Sequence, residues 1–190
     1  MARVPWLDPA AVMKALDAGA MGIVCPMINS RAEAERFVSY MRYPPHGQRS
    51  FGPTRAGFAM PGYGPQMNDE VLALAMIETQ GGVDNLEDIA STPGLDGIYV
   101  GLADLTLGTQ GGRLPPGFDR QEPEMIDLIK RIAQVCKANG IKACLHCGTP
   151  DYAAQAIGWG YDLLAAAASA SVKRFRDLTG AGADGNEGAY

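Results

Sequence analysis

The run Val71-Leu72-Ala73-Leu74-Ala75 leads into Met76-Ile77-Glu78-Thr79, and Gly97-Ile98-Tyr99-Val100 leads into Gly101-Leu102-Ala103-Asp104-Leu105. These two stretches narrow the available folds more than any other feature of the chain. Both runs are continuously apolar rather than alternating, which is the pattern of strands covered on both faces and belongs to parallel sheets. Between them, Leu86 and Ile89 stand at helical spacing in Asp84-Asn85-Leu86-Glu87-Asp88-Ile89-Ala90, and Ser91-Thr92-Pro93-Gly94 halts the helix. The whole reads as a βαβ unit. Each strand delivers one carboxylate, Glu78 or Asp104, at its C-terminal end, where α/β enzymes build their sites. Neither string contains Lys or Arg. Two carboxylates so placed repel unless a cation sits between them, and an oxygen-ligated divalent ion is the economical explanation. Taken singly, Glu78 also reads as a cap of the helix that follows its strand, and Asp104 as a cap of a short turn.

At 190 residues, 47% hydrophobic and net charge -5, the chain has the composition of one ordinary globular domain. No apolar run approaches the ~20 residues of a membrane helix, and no basic stripe offers a nucleic-acid surface, so neither partner is expected. Met1-Ala2-Arg3-Val4 lacks the apolar core of a secretory signal, which makes the cytoplasm the expected location. The cysteines Cys25, Cys136, Cys144 and Cys147 are few and apolar in setting, as suits reduced thiols.

Strands and helices alternate along the rest. Asp8 caps a helix over Ala10 to Ala18 that Gly19 closes, and Met21 to Pro26 reads as a strand. Ser30 caps a helix from Arg31 to Met41, with Ala34, Phe37, Val38 and Met41 on its apolar face. Tyr43 to Asn68 is rich in Pro and Gly and is expected to be a long ordered loop; Thr106 to Pro123 reads as a second. An amphipathic helix over Met125 to Asn139, a strand over Ile141 to Cys147, a helix over Pro150 to Ile157 and a strand over Tyr161 to Ala168 complete the series. Residues 1–178 form the expected domain and 179–190 a disordered Gly/Ala-rich tail. The order fits a (β/α) barrel or a doubly wound sheet. Five strands and a stub at Ala2 to Trp6 fall short of the eight strands and ~250 residues of a closed barrel.

Several strings resemble the metal-dependent class II pyruvate aldolases typified by 4-hydroxy-2-oxoheptanedioate aldolase, which share a superfamily with citrate lyase β subunits. They are Arg3-Val4-Pro5-Trp6-Leu7-Asp8-Pro9, Asp17-Ala18-Gly19-Ala20, Pro26-Met27, Arg42-Tyr43-Pro44-Pro45-His46-Gly47-Gln48-Arg49, Ile77-Glu78-Thr79 and Asp96 to Leu105. The resemblance runs from Arg3 to Arg176, and the string from Arg42 to Arg49 is its most specific part. It implies an α/β fold of the (β/α)8 TIM-barrel type, incomplete at the N-terminus with its first two strands absent. It also implies a lyase that cleaves or forms 4-hydroxy-2-oxo acids, with pyruvate and an aldehyde on the other side, and a homo-oligomer built from trimers. Glu78 and Asp104 would hold the metal, which would be Mg, Mn or Co. Arg3 would stabilise the oxyanion at C2 of pyruvate, and Asp17 would orient the catalytic histidine. The backbone at Ala103 and Asp104, beside Gly101, would seat the pyruvate carboxylate. Met76 stands at a substrate-binding position where the family usually has glutamine, so a substrate hydrogen bond is lost there, and Leu102 stands where it usually has proline. The family's general base is a histidine in an Asp-x-Glu-His type string, and no such string occurs here.

The implied chemistry is coherent: a divalent ion on two carboxylates chelates an α-keto acid as a Lewis acid, and Arg3 adds a fixed positive fork at the same oxygen. The competing motif is Cys144-Leu145-His146-Cys147. In a strand, residues three apart face opposite ways, so the two thiols diverge instead of pairing. His146, on a strand that would line the barrel, is better used facing the metal pocket, with packing as its plainer role. His46 reads as an exposed loop residue, and Arg42 and Arg49 as loop anchors. The alternatives are a non-catalytic fragment that binds a metal and a keto acid, and an acyl-CoA lyase of the citrate lyase kind.

Overall fold

The computed structural model of the chain describes residues 1–166. Its elements are β1 (Ala2–Arg3), α1 (Pro9–Asp17), β2 (Gly22–Cys25), α2 (Arg31–Met41), α3 (Thr54–Ala59), β3 (Leu72–Ile77), α4 (Gln80–Asp84), α5 (Leu86–Ala90), β4 (Gly97–Val100), α6 (Leu102–Thr109), α7 (Pro123–Ala138), β5 (Lys142–Cys147), α8 (Pro150–Gly158) and β6 (Leu163–Ala166). The strands form one six-stranded sheet in the order β1-β2-β3-β4-β5-β6. Every pair is parallel. A doubly wound sheet reverses its strand order at a switch point, and this sheet does not, which removes that alternative. The winding is that of a curled half-barrel.

Strand alternation sorts the side chains onto two faces. Ile23, Cys25, Ala73, Ala75, Ile77, Ile98, Val100, Ala143, Leu145 and Cys147 join the large core beneath the helices. Val24, Leu74, Met76, Tyr99 and Cys144 form a smaller cluster on the concave face, with Leu163 and Ala165 against it. Cys144 and Cys147 therefore do diverge, and all four thiols are free and buried.

The helix starts follow their caps. Asp8 accepts from the Ala11 N–H at 2.7 Å ahead of Pro9, and Ser30 accepts from Glu33 N–H at 3.3 Å while Glu33 accepts from Asn29 N–H at 2.7 Å. α2 buries Ala34, Phe37, Val38 and Met41. Arg42 and Arg49 are anchors, as expected. Arg42 donates to Val71 O (2.6 Å), Gly94 O (3.1 Å) and Asp96 Oδ2 (2.7 Å). Arg49 donates to Asp17 Oδ1 (2.8 Å) and lies over the Tyr43 ring, 4.3 Å from its centroid.

Three segments differ from expectation. The stretch from Tyr43 to Asn68 holds α3 and a 3-10 turn (Pro65–Asn68), because Ala56 and Met67 are drawn into the core. The expected helix over Asp84 to Ala90 is two short helices, α4 and α5, broken at Asn85, whose side-chain amide donates to Asn29 O and Gly81 O. The loop after β4 begins only beyond α6. The end of the expected last strand, the boundary at 178 and the expected tail lie outside the described residues. No helix among the described residues is long and apolar enough to cross a membrane.

Candidate active site

β3 presents Leu74, Met76 and then Glu78 on the concave side, since residues two apart share a face. Glu78 is 3% exposed. Its Oε1 accepts from Met27 N–H at 2.8 Å, whereas Oε2 is buried without a partner. Burial raises its pKa above the ordinary carboxylate value and the Asp104 charge adds to the rise, while the Met27 N–H and the Arg3 charge act against it. Glu78 does not cap the helix that follows. That task belongs to Thr79, whose hydroxyl accepts from Gly82 N–H at 3.0 Å. A buried carboxylate oxygen with no donor needs another explanation.

Asp104 stands exposed in the first turn of α6, where the capping residue, Gly101, offers no side chain. The first backbone bond of this helix is Leu105 N–H to Gly101 O (2.8 Å), so the N–H groups of Leu102, Ala103 and Asp104 have no partner within the helix. Gly101 brings the two acids together. A Cβ on it would stand 3.1 Å from Glu78 Oε2 and 3.2 Å from Met76 Sδ, so only glycine leaves that space open. Gly108 fixes α6 against the end of β3 through a parallel bridge to Thr79, and a Cβ there would meet Glu78 O at 2.6 Å.

Arg3 pairs in register with Val24 and so shares its face. It is exposed and makes no salt bridge to any described residue. Arg3, Met76, Tyr99, Gly101, Ala103, Asp104 and His146 line one open cavity of about 430 Å³ at the strand C-termini. The structure thus gathers Arg3, Met76, Gly101, Ala103 and Asp104 around one cleft, with Glu78 behind Gly101. It does not bring Asp17 there. Asp17 ends α1, and a helix following a parallel strand runs back toward the opposite rim of the sheet; its carboxylate pairs with Arg49. No cluster of three or more metal-ligating His, Cys, Asp or Glu residues occurs among the described residues. Glu78 and Asp104 nevertheless fit a hard divalent ion: both are oxygen donors, one is orphaned and buried, and Gly101 leaves room between them.

Two further groups line the cleft: His146, which the sequence reading set either toward the pocket or in packing, and Tyr99, which it did not single out. Tyr99 Oη lies 3.1 Å from His146 Nδ1, and the Phe118 ring packs on His146 with centroids 4.9 Å apart. The available signal was polar side chains at inward positions of otherwise apolar strands.

The fold and this cleft define a parallel α/β protein of barrel winding with paired acids at its strand ends. The family model described as HpcH/HpaI aldolase/citrate lyase matches residues 1–171, and the chain belongs to that family. It is 38% identical over 161 residues to a hydroxypyruvate/pyruvate aldolase of Rhizorhabdus wittichii, covering 84% of this chain and 63% of that protein. It is 34% identical over 160 residues to a 2-keto-3-deoxy-L-rhamnonate aldolase of Escherichia coli, covering 81% and 57%. The crystal structure of an HpcH/HpaI aldolase/citrate lyase family protein from Burkholderia cenocepacia matches with a TM-score of 0.78 at 30% identity, over 93% of this chain and 70% of that one. The chain spans less than two thirds of the length of either aldolase.

Proposed function

We propose that this chain carries the site of a carbon–carbon lyase that cleaves or forms 4-hydroxy-2-oxo acids, with pyruvate and an aldehyde as the other side of the reaction. The observation that carries the reading is the buried Glu78 oxygen without a partner, beside Asp104 and Arg3 at the strand ends. Glu78 and Asp104 are the metal-holding pair. Magnesium, manganese or cobalt suits two carboxylates completed by water and substrate oxygens, and when bound there such an ion supplies Lewis acidity toward the C2 oxygen of a keto acid. Arg3, which makes no salt bridge to any described residue, places its guanidinium at the charge that develops on that oxygen, a preorganised contribution of about 3 kcal/mol in comparable sites. The free N–H groups at Ala103 and Asp104, at a helix start beside Gly101, seat the substrate carboxylate. Met76 gives that wall an apolar surface. The reading extends to a (β/α)8 barrel, incomplete in this chain, and to a cytoplasmic homo-oligomer built from trimers.

The test is deuterium exchange into the methyl group of pyruvate, followed by NMR. Exchange that requires Mg or Mn and disappears in Glu78→Ala is the expected result. Exchange indifferent to both metal and substitution overturns the assignment.

A further inference from the structure

Among the described residues, the Glu78 carboxylate accepts one hydrogen bond, from Met27 N–H at 2.8 Å. That donor stands on a residue in an unfavourable conformation. Met27 has a φ of 58°, in the left-handed region where a Cβ crowds the following carbonyl oxygen. The angle sets the Met27 N–H, aimed at Glu78, against the Ile28 N–H, which donates to Met76 O at 3.3 Å; at an ordinary negative φ the two could not both reach β3. Asn29 supplies the restraint. Its Nδ2 donates to Met27 O at 2.9 Å, and its Oδ1 accepts from the hydroxyl of Thr79, the residue after Glu78. The amide has one consistent orientation, because a carbonyl can only accept and the Thr79 hydroxyl, which accepts from Gly82 N–H, has its hydrogen to give. The Asn29 backbone is held as well: its N–H donates to Glu33 Oε2 at 2.7 Å and its carbonyl accepts from Asn85 Nδ2 at 2.9 Å. Asn29 is thus fixed from α2 and from the break between α4 and α5, and it ties down both the residue that donates to Glu78 and the residue that follows it.

We propose that Asn29 is a positioning residue for Glu78: its side-chain amide holds Met27 in the left-handed conformation that aims Met27 N–H at Oε1, and so leaves Oε2 turned toward the gap that Gly101 keeps open. The inference rests on the reading of Glu78 and Asp104 as a metal-holding pair and names what sets the direction of Glu78 before an ion arrives. A carboxylate with one oxygen on a fixed donor presents the other in one direction, and the rotamer freedom of a long side chain is then lost on folding instead of on binding. Asn29 acts through Met27 and Thr79. Glycine adopts a positive φ without the Cβ crowding, so the restraint matters only while residue 27 carries a side chain. Removing the Asn29 amide should therefore do harm beside Met27 and little beside a glycine, a dependence that a general packing role for Asn29 would not produce.

The test is Mn²⁺ affinity by calorimetry on the full chain, with circular dichroism reporting the fold of each variant. Asn29→Leu, close in size and without hydrogen-bonding groups, is expected to bind Mn²⁺ at least about tenfold more weakly than wild type while keeping its helical dichroism. Met27→Gly alone is expected to stay within about threefold of wild type, and Met27→Gly combined with Asn29→Leu to recover most of the loss. In metal-free protein labelled with ¹⁵N-methionine, the Met27 amide proton is expected to move upfield in Asn29→Leu, as it does in Glu78→Ala. Asn29→Ala carries the same expectations and decides the matter if Asn29→Leu loses its helical dichroism. Wild-type affinity in the Asn29 variants, an equal loss with Met27 and with glycine at position 27, or an unmoved Met27 resonance overturns the role of Asn29. Affinity lost in Glu78→Ala but kept in Asn29→Leu overturns that role alone. A Glu78→Ala chain that binds Mn²⁺ as tightly as wild type, or a wild type that binds none, overturns the metal-holding reading and the proposal with it.

Discussion

Glu78→Gln separates the site from the fold more cleanly than any other single change. The amide oxygen can still accept from Met27 N–H, which now bonds Oε1 at 2.8 Å, while the charge on the side of the unpartnered oxygen is removed. Leaving a buried polar group without a partner costs about 1–3 kcal/mol, more when it is charged. The amide also leaves a polar end buried, so the gain on substitution falls at the low end, about 1 kcal/mol in metal-free protein. For a chain of this size that is about 2–4 °C in Tm. A divalent ion at about a hundred times its Kd adds about 2.7 kcal/mol to the wild type, about 5–10 °C, and adds little to the variant. The two proteins therefore exchange order: Glu78→Gln melts higher in EDTA, and the wild type melts higher in saturating Mn²⁺. Circular dichroism melts in both buffers read this directly. A variant that melts below wild type in EDTA would show that Glu78 serves the fold and not a ligand; equal stabilisation of both proteins by Mn²⁺ would put the ion elsewhere.

The same carboxyl sets a pH dependence. Its pKa in the folded chain is raised from 4.5, chiefly by burial, so the fold binds this proton more tightly than the unfolded chain and metal-free stability falls as pH rises through that window. The stability difference between Glu78→Gln and wild type is accordingly near zero at pH values below 4.5 and grows above it, measured by urea titration in EDTA. Gly108→Ala would drive its Cβ into Glu78 O, 2.6 Å from the ideal position, and displace α6 with Asp104. Manganese affinity by calorimetry should fall at least about tenfold while circular dichroism stays helical, and unchanged affinity would uncouple α6 from the site. Burial pushes the thiols of Cys25, Cys136 and Cys144 up to about 12 and that of Cys147 to about 11. A disulfide reagent at pH 8 should find no fast thiol until the chain is unfolded, and one fast native thiol would contradict the placement of these residues.

What the sequence made legible is what depends on neighbours along the chain. Asp8 and Ser30 marked their helix starts because a cap acts within three residues, and α2 was bounded correctly because its apolar face repeats within four. The carboxylates were legible for a related reason: each follows an apolar run, and a strand end needs no knowledge of the partner strand. α6 was missed because Gly108 and the glycines after it read as loop residues, whereas Gly108 is small to let the helix meet the backbone of β3. That requirement comes from a distant segment and leaves no local pattern. Asn85 divides α4 from α5 for the same kind of reason, since its amide reaches back to Asn29. The Tyr99–His146 contact belongs to this class too. Alternation places each residue on the concave face, but only the register of β4 against β5 makes them neighbours. A slip of one residue would turn His146 away from the cleft. Register in this sheet is held from outside the cleft: Asp162 accepts from Ala143 N–H at 3.0 Å at the start of β5, and Lys142 N–H donates to Asp96 O at 2.9 Å before β4. The geometry of the β4–β5 side of the cleft is thus set by hydrogen bonds at the opposite rim, and the backbone between the two rims carries that setting to the functional end.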